Sequence, residues 1–197
     1  MTKKKELERK NQILEAAIRC FSKNGYHETT MEDIVQESGL SKGGIYWYFK
    51  SKRDIFLALI DRHLEEDIAF WEETIKKEIT PELFKDAGVL FFERHQEDPF
   101  GGCFWLEFIA EATRDEMIRK KLDEVYQMWQ EKIKSVLDEA VKKGILRPIN
   151  TDSLAVIILA CIDGLLIKDL QIHKKRDFSK IWQDFSDILF KGILLRN

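Results

Sequence analysis

From Ser41 to Lys52 the chain gathers serine hydroxyls, lysine ammoniums, paired glycines and polar-rimmed rings. They are Ser41, Lys42, Gly43, Gly44, Tyr46, Trp47, Tyr48, Lys50 and Lys52. Hydroxyl, phenol and ammonium groups donate to phosphate oxygens, and glycines in a first helical turn let backbone N–H groups approach a polyanion closely. No Ser-His-Asp set, Gly-rich phosphate loop or paired catalytic carboxylate accompanies them, so the chemistry on offer is holding rather than bond breaking. An enzyme has no local support, and no catalytic residue is assigned.

Two short helices must position this run. Thr30 is placed to cap the first, with Asp33 at the acidic position of a capping box, and Ile34 and Val35 supply its buried side. Gly39 suits a left-handed helix end, Leu40 drops toward the core, and Ser41 caps the second helix. At about 100° per residue, Ile45 and Phe49 share one side of that helix, while Gly43, Tyr46, Trp47 and Lys50 form the opposite arc. An isolated aromatic cluster more often pads a helical core. The capped two-helix frame favours instead a helix that enters the DNA major groove.

These residues resemble the TetR family of bacterial transcriptional regulators. The resemblance rests on Thr30, on Leu40-Ser41-Lys42-Gly43-Gly44-Ile45-Tyr46 and on Tyr48-Phe49-Lys50-Ser51-Lys52. A preceding apolar stripe, Ile13, Leu14, Ala17, Ile18 and Phe21, followed by Gly25-Tyr26, extends it over about the first 55 residues. It implies that Thr30, Ser41, Lys42, Gly43, Tyr46, Trp47, Tyr48 and Lys52 touch phosphates or base edges. Gly44 and Trp47 depart from the family's usual polar residue and His, which alters base preference there.

Composition agrees with a small DNA-binding protein. The 197 residues carry a net charge of −3, with 44% hydrophobic and 34% charged residues, ordinary for a soluble chain with a substantial core. Charge is unevenly spread, because residues 1–53 hold eleven Lys or Arg against seven Asp or Glu. The basic surplus sits with the helix-turn-helix, and Lys3, Lys4, Lys5, Arg9 and Lys10 form an arm that either adds phosphate contacts or remains a solvated tail. No secretory or membrane address is visible, and the expected location is the cytoplasm. Cys20, Cys103 and Cys161 are widely spaced, and none has metal-ligand spacing to a second Cys or His. They read as reduced thiols; neither a metal nor a cofactor is expected.

Beyond Lys52 the pattern stays helical, so the fold class is all-α with about nine helices. An N-terminal three-helix DNA-binding domain (residues 1–52) precedes an effector-binding and dimerisation domain (residues 53–197). A helix capped by Ser51 runs to about Ile75 and is the natural lever between the two. A further helix should stop near Asp98-Pro99, Gly101-Gly102 precede an aromatic segment, and a break falls near Arg114. The stretch from Leu154 to Ile167 is apolar on nearly every face and calls for burial on all sides. Packing one face on a second copy, together with the last helix and its Trp182, would achieve this; closing a monomer's core is the alternative. The resemblance favours a homodimer through the last two helices.

Aromatic and Met side chains concentrated in the central helices point to a ligand site there, since such side chains commonly line apolar pockets. Trp71, Phe104, Trp105, Phe108, Tyr126 and Trp129 are the candidate lining, with Glu107 or Glu111 as possible polar selectors. An acidic selector would favour a cationic lipophile, and a wholly apolar lining an acyl chain. The expected function is a ligand-responsive regulator, a repressor that binds palindromic double-stranded operator DNA as a homodimer and is released by a small lipophilic or aromatic effector. The alternative is an effector-independent DNA-binding dimer with an architectural or co-regulatory role.

Overall fold

A computed structural model describes residues 3–76, 78–97, 99–171 and 176–193. Among these residues there are nine helices and no strand, as expected from the sequence.

Helix α1 (Lys3–Glu28) buries the stripe Ile13, Leu14, Ala17 and Phe21. Gly25, at φ 76°, interrupts it, a conformation that a side chain at this position would strain. The bend returns Tyr26 to the core, 4.3 Å from the Phe56 ring centroid. Thr29 fastens the bend by donating its hydroxyl proton within reach of the Gly25 and Cys20 carbonyls, 2.7 and 3.2 Å away.

Helix α2 (Met31–Ser38) starts in the expected capping box, with the Thr30 hydroxyl and Asp33 carboxylate each accepting from the other's backbone N–H. Left-handed Gly39 ends it. Ser41 caps α3 (Lys42–Tyr48), and Ser51 with Asp54 makes a second capping box for α4 (Lys52–Ile75). Each cap removes orphan N–H groups for about 1 kcal/mol, which matters in helices as short as α2 and α3.

Helix α4 joins the head to the rest. Its Ile55, Phe56, Leu59 and Ile60 are buried, and Phe56 sits 4.9 Å from Phe104 in α6 (Pro99–Ala112). The apolar packing of the head therefore continues through α4 into α6 and into Ile118 and Val125 of α7 (Glu116–Lys142). α6 starts at Pro99 and runs through Gly101-Gly102, one turn earlier than its aromatic segment. The break near Arg114 is real: Asp115 caps α7 by accepting from the Met117 and Ile118 amides.

A second apolar cluster joins α5 (Pro81–Glu97), the far half of α7, α8 (Thr151–Gln171) and α9 (Phe178–Ile193). Here α5 and α9 meet closely, because Gly88 lies flat under the Trp182 indole and Phe84 stacks 5.1 Å from Phe190. Trp182 thus belongs to the chain's own core, only 4% exposed, and is not a surface residue of α9. α8 is not buried on every side within one chain: Ala155 and Ile158 face inward, whereas Val156 and Ile157 are 47% and 50% exposed. Ile188 of α9 is 75% exposed.

Candidate nucleic-acid interface and effector cavity

The two caps and the short turn hold α3 on the outside of the head, anchored by buried Ile45 and Phe49. Ser41, Lys42, Gly43, Trp47 and Lys50 are exposed along it, and Gly44 and Tyr46 are half-buried. Trp47 leaves 61% of its surface in solvent and meets Tyr48 edge-on, 4.6 Å between centroids. Space for a side chain at Gly43 is open, whereas a Cβ on Gly44 would crowd the Ser41 hydroxyl at 3.1 Å. Gly44 therefore protects the cap, and nothing within the chain demands glycine at position 43.

Several side chains already hold partners. Thr30, exposed beside α3, spends its hydroxyl on Asp33. Lys42 pairs with Glu32, whose carboxyl lies below its usual range because Lys42 hydrogen-bonds to it. Lys50 reaches the Tyr46 carbonyl at the end of α3, 2.7 Å away, and remains exposed. Tyr48, which the resemblance puts among the DNA contacts, has a buried hydroxyl without a hydrogen-bond partner among the described residues.

Lys52 departs furthest from the expectation of a phosphate contact. Its ammonium donates to the carbonyls of Tyr26, His27 and Thr29 at 2.6, 2.9 and 2.7 Å and lies 4.5 Å over the Tyr26 ring. All three protons of the group are committed. Lys52 therefore ties the first turn of α4 to the carbonyl end of α1, where the helix dipole favours a cation. Burial lowers its pKa from the ordinary lysine value, with acidic neighbours, Glu111 foremost, acting in the opposite direction.

Below the head, α4 to α9 surround a cavity of about 180 Å³. All six aromatic candidates line it: Trp71, Phe104, Trp105, Phe108, Tyr126 and Trp129. The rings meet mostly edge to face, Trp71 with Trp129 at 5.9 Å and Trp105 with Tyr126 at 6.0 Å. Trp71 and Trp182, both in the lining, carry buried indole N–H groups with no acceptor among the described residues.

The polar lining differs from the expected one. Glu107 and Glu111 are not in it: Glu107 lies against Gly25, and Glu111, buried and paired with Arg114 at 3.1 Å, is the foremost carboxylate acting on Tyr26 and Lys52, so both face the head. Asp163 takes their place. It accepts from Tyr126 Oη at 2.6 Å and from Trp105 Nε1 at 3.1 Å. Its signal was legible, because it is the only charged residue between Leu154 and Ile167. Burial raises its pKa, opposed by those two hydrogen bonds, and burial followed by Asp163 raises that of Tyr126.

A second polar patch comprises His63, Glu66, Asp67, Arg94 and His95. Arg94 lies 3.5 Å from Asp67 and 3.8 Å from Glu66, and stacks 5.1 Å over Phe70. Burial raises the Asp67 pKa against the pull of His95, Arg94 and His63. Residues from α4 and α5 meet here, a pairing that sequence separation conceals. No group of Cys, His, Asp and Glu among the described residues is arranged to hold a metal ion, and no described helix is long and apolar enough to cross a membrane.

Comparison with known proteins agrees with this arrangement of head and body. Residues 13–59 match the bacterial regulatory proteins of the tetR family, and residues 89–185 match the C-terminal region of BetI-type transcriptional repressors. An HTH-type transcriptional regulator from the lacX 3' region of Lactococcus lactis subsp. lactis is 30% identical over 169 residues, covering 80% of this chain and 81% of its own. The fatty acid metabolism regulator protein of Bacillus subtilis is 25% identical over 189 residues, 92% of this chain and 94% of its own. A transcriptional regulator of Saccharomonospora viridis, solved in complex with choline, superposes with a TM-score of 0.79 at 26% identity, over 96% and 99% of the two chains. The chain belongs to the TetR family of bacterial transcriptional regulators and is a DNA-binding regulator rather than an enzyme.

Proposed function

We propose that this regulator is a homodimeric repressor, released from a palindromic operator by a small lipophilic or aromatic effector held in the cavity. The observation that carries the proposal is the double attachment of α4. Its first turn is tied to the head by Lys52, and its later residues His63, Asp67 and Trp71 line the cavity. Ion pairs Arg62 with Glu15 (2.8 Å), Arg53 with Asp115 (3.0 Å) and Lys121 with Asp61 join α4 to α1 and α7. A ligand that displaces the walls of α4 would therefore move the head, provided it binds one arrangement better than the other.

On DNA, α3 would lie in the major groove, with Ser41, Lys42, Gly43, Tyr46, Trp47 and Lys50 toward the duplex and Thr30 beside it. Lys52 would act through the shape of the head. The exposed apolar residues Val156, Ile157 and Ile188 support a second copy packed on α8 and α9. Two heads would then read half-sites about 34 Å apart. That a relative of similar fold was solved in complex with choline supports a small-molecule effector for this chain.

The test is fluorescence anisotropy on DNA from upstream of the protein's own gene, with and without a panel of small lipophiles. Salt-sensitive binding, weakened by at least one compound that also raises the melting temperature, is expected. Operator binding with no stabilising compound in the panel would favour an effector-independent DNA-binding dimer.

A further inference from the structure

The two polar patches of the cavity differ in how their charge is balanced. Asp67 and Glu66 share the Arg94 guanidinium, with His63 and His95 adjacent, so the acids there already face a fixed cation. Asp163 forms no ion pair among the described residues, and its two hydrogen-bond donors, Tyr126 Oη and Trp105 Nε1, are both neutral. An indole N–H can only donate, so Oδ1 must accept, and the ionised carboxylate satisfies both neighbours at once. Its two donors are themselves aromatic, and the cavity it shares with them is also lined by Phe108 and Trp129, rings of a kind that attract positive charge. A half-buried acid in an aromatic cavity is costly unless something compensates it.

We infer that Asp163, held by Tyr126 and Trp105, is the recognition point for an organic cation, so that the effector is a lipophilic ammonium compound. This rests on the effector-cavity reading above. The cation would place its charge against Asp163 and its alkyl or aryl groups against the rings. A quaternary ammonium has no N–H to donate, so it would meet the carboxylate through charge alone and leave both hydrogen bonds in place. An acyl chain carrying its own carboxylate would place two negative charges together and is disfavoured.

The experiment titrates the full-length protein by calorimetry, with thermal shift alongside. Benzyltrimethylammonium and choline are each compared with the uncharged compound in which carbon replaces the quaternary nitrogen. The cations should bind about tenfold or more tightly than their isosteres. Asp163→Asn, which can still accept from Trp105 and bond to Tyr126, should remove most of the difference, leaving only what the rings contribute. Tyr126→Phe, which keeps the charge, should preserve it and so separates charge recognition from general damage to the site. If the isosteres bind as tightly as the cations, or Asp163→Asn keeps the full preference, the cation site is refuted while the cavity reading stands. If neither cation binds, the cation site is refuted, while a different stabilising compound from the lipophile panel would leave the cavity reading standing.

Discussion

Replacing Lys52 with Met separates two roles that a lysine at the edge of a DNA-binding head can play. Met retains most of the stem and its packing but supplies none of the three donors now given to Tyr26, His27 and Thr29. A hydrogen bond from a charged group contributes about 1.5–3 kcal/mol when shielded. Two of these bonds are only half-buried and the His27 one is exposed, so water recovers much of the loss. Removing the ammonium also relieves its own desolvation. The net cost should be about 2–3 kcal/mol, which for a chain of this size lowers the melting temperature by about 4–12 °C. Urea and thermal melts followed by circular dichroism measure this directly. DNA affinity should fall through loosening of α4 against α1, with an unchanged slope of log affinity against log salt. Unaltered stability combined with a salt slope smaller by about one unit would refute the capping role and restore a phosphate contact.

Gly43→Ala should stabilise the free protein by up to about 1 kcal/mol, since the space around it is open, yet weaken operator binding by blocking close approach of the backbone. Equal or tighter binding would remove that residue from the interface. Gly88→Ala should cost about 1–3 kcal/mol despite alanine's better helix propensity, because the new Cβ would lie 1.8 Å from Trp182 Nε1; a neutral melt would show that α5 and α9 separate easily. Ile157→Glu should convert the dimer to folded monomer in sedimentation equilibrium, whereas Trp182→Asp should unfold the body, and a fully dimeric Ile157→Glu would move the interface elsewhere. Burial, and then the Glu111 and Asp115 carboxylates, push the Tyr26 phenol up from the ordinary 10.0 to about 12. Its stabilising contribution is complete below pH 10 and is lost as pH rises toward about 12, so Tyr26→Phe should flatten the alkaline limb of the stability profile.

Legibility in the sequence followed the range of the interactions. The caps at Thr30, Ser41 and Ser51 act over three residues, and Gly39 acts on its own backbone, so the helix-turn-helix could be read locally. Lys52 could not, because its partners lie 23 to 26 residues upstream and the same ammonium would serve equally well on a phosphate. The aromatic lining was readable because large rings on central helices have few other places to go. Glu107 and Glu111 sit on the side of α6 that meets the head, which helix spacing alone does not reveal without knowing which neighbour each face meets. Asp163 announced itself as a lone charge in an apolar run, but the length of that run drew the reading toward dimer packing. Trp182 shows the same limit: an amphipathic last helix has one apolar face, and only the fold shows that α5, through Gly88, receives it.

The coupling between cavity and head is tested most directly by measuring operator affinity of the purified protein by anisotropy, with and without a saturating compound known from thermal shift to bind. A compound that occupies the cavity should raise the DNA dissociation constant about 5- to 150-fold, the range of a coupling of about 1–3 kcal/mol. A compound that stabilises the protein while leaving the dissociation constant unchanged at every concentration would contradict the account.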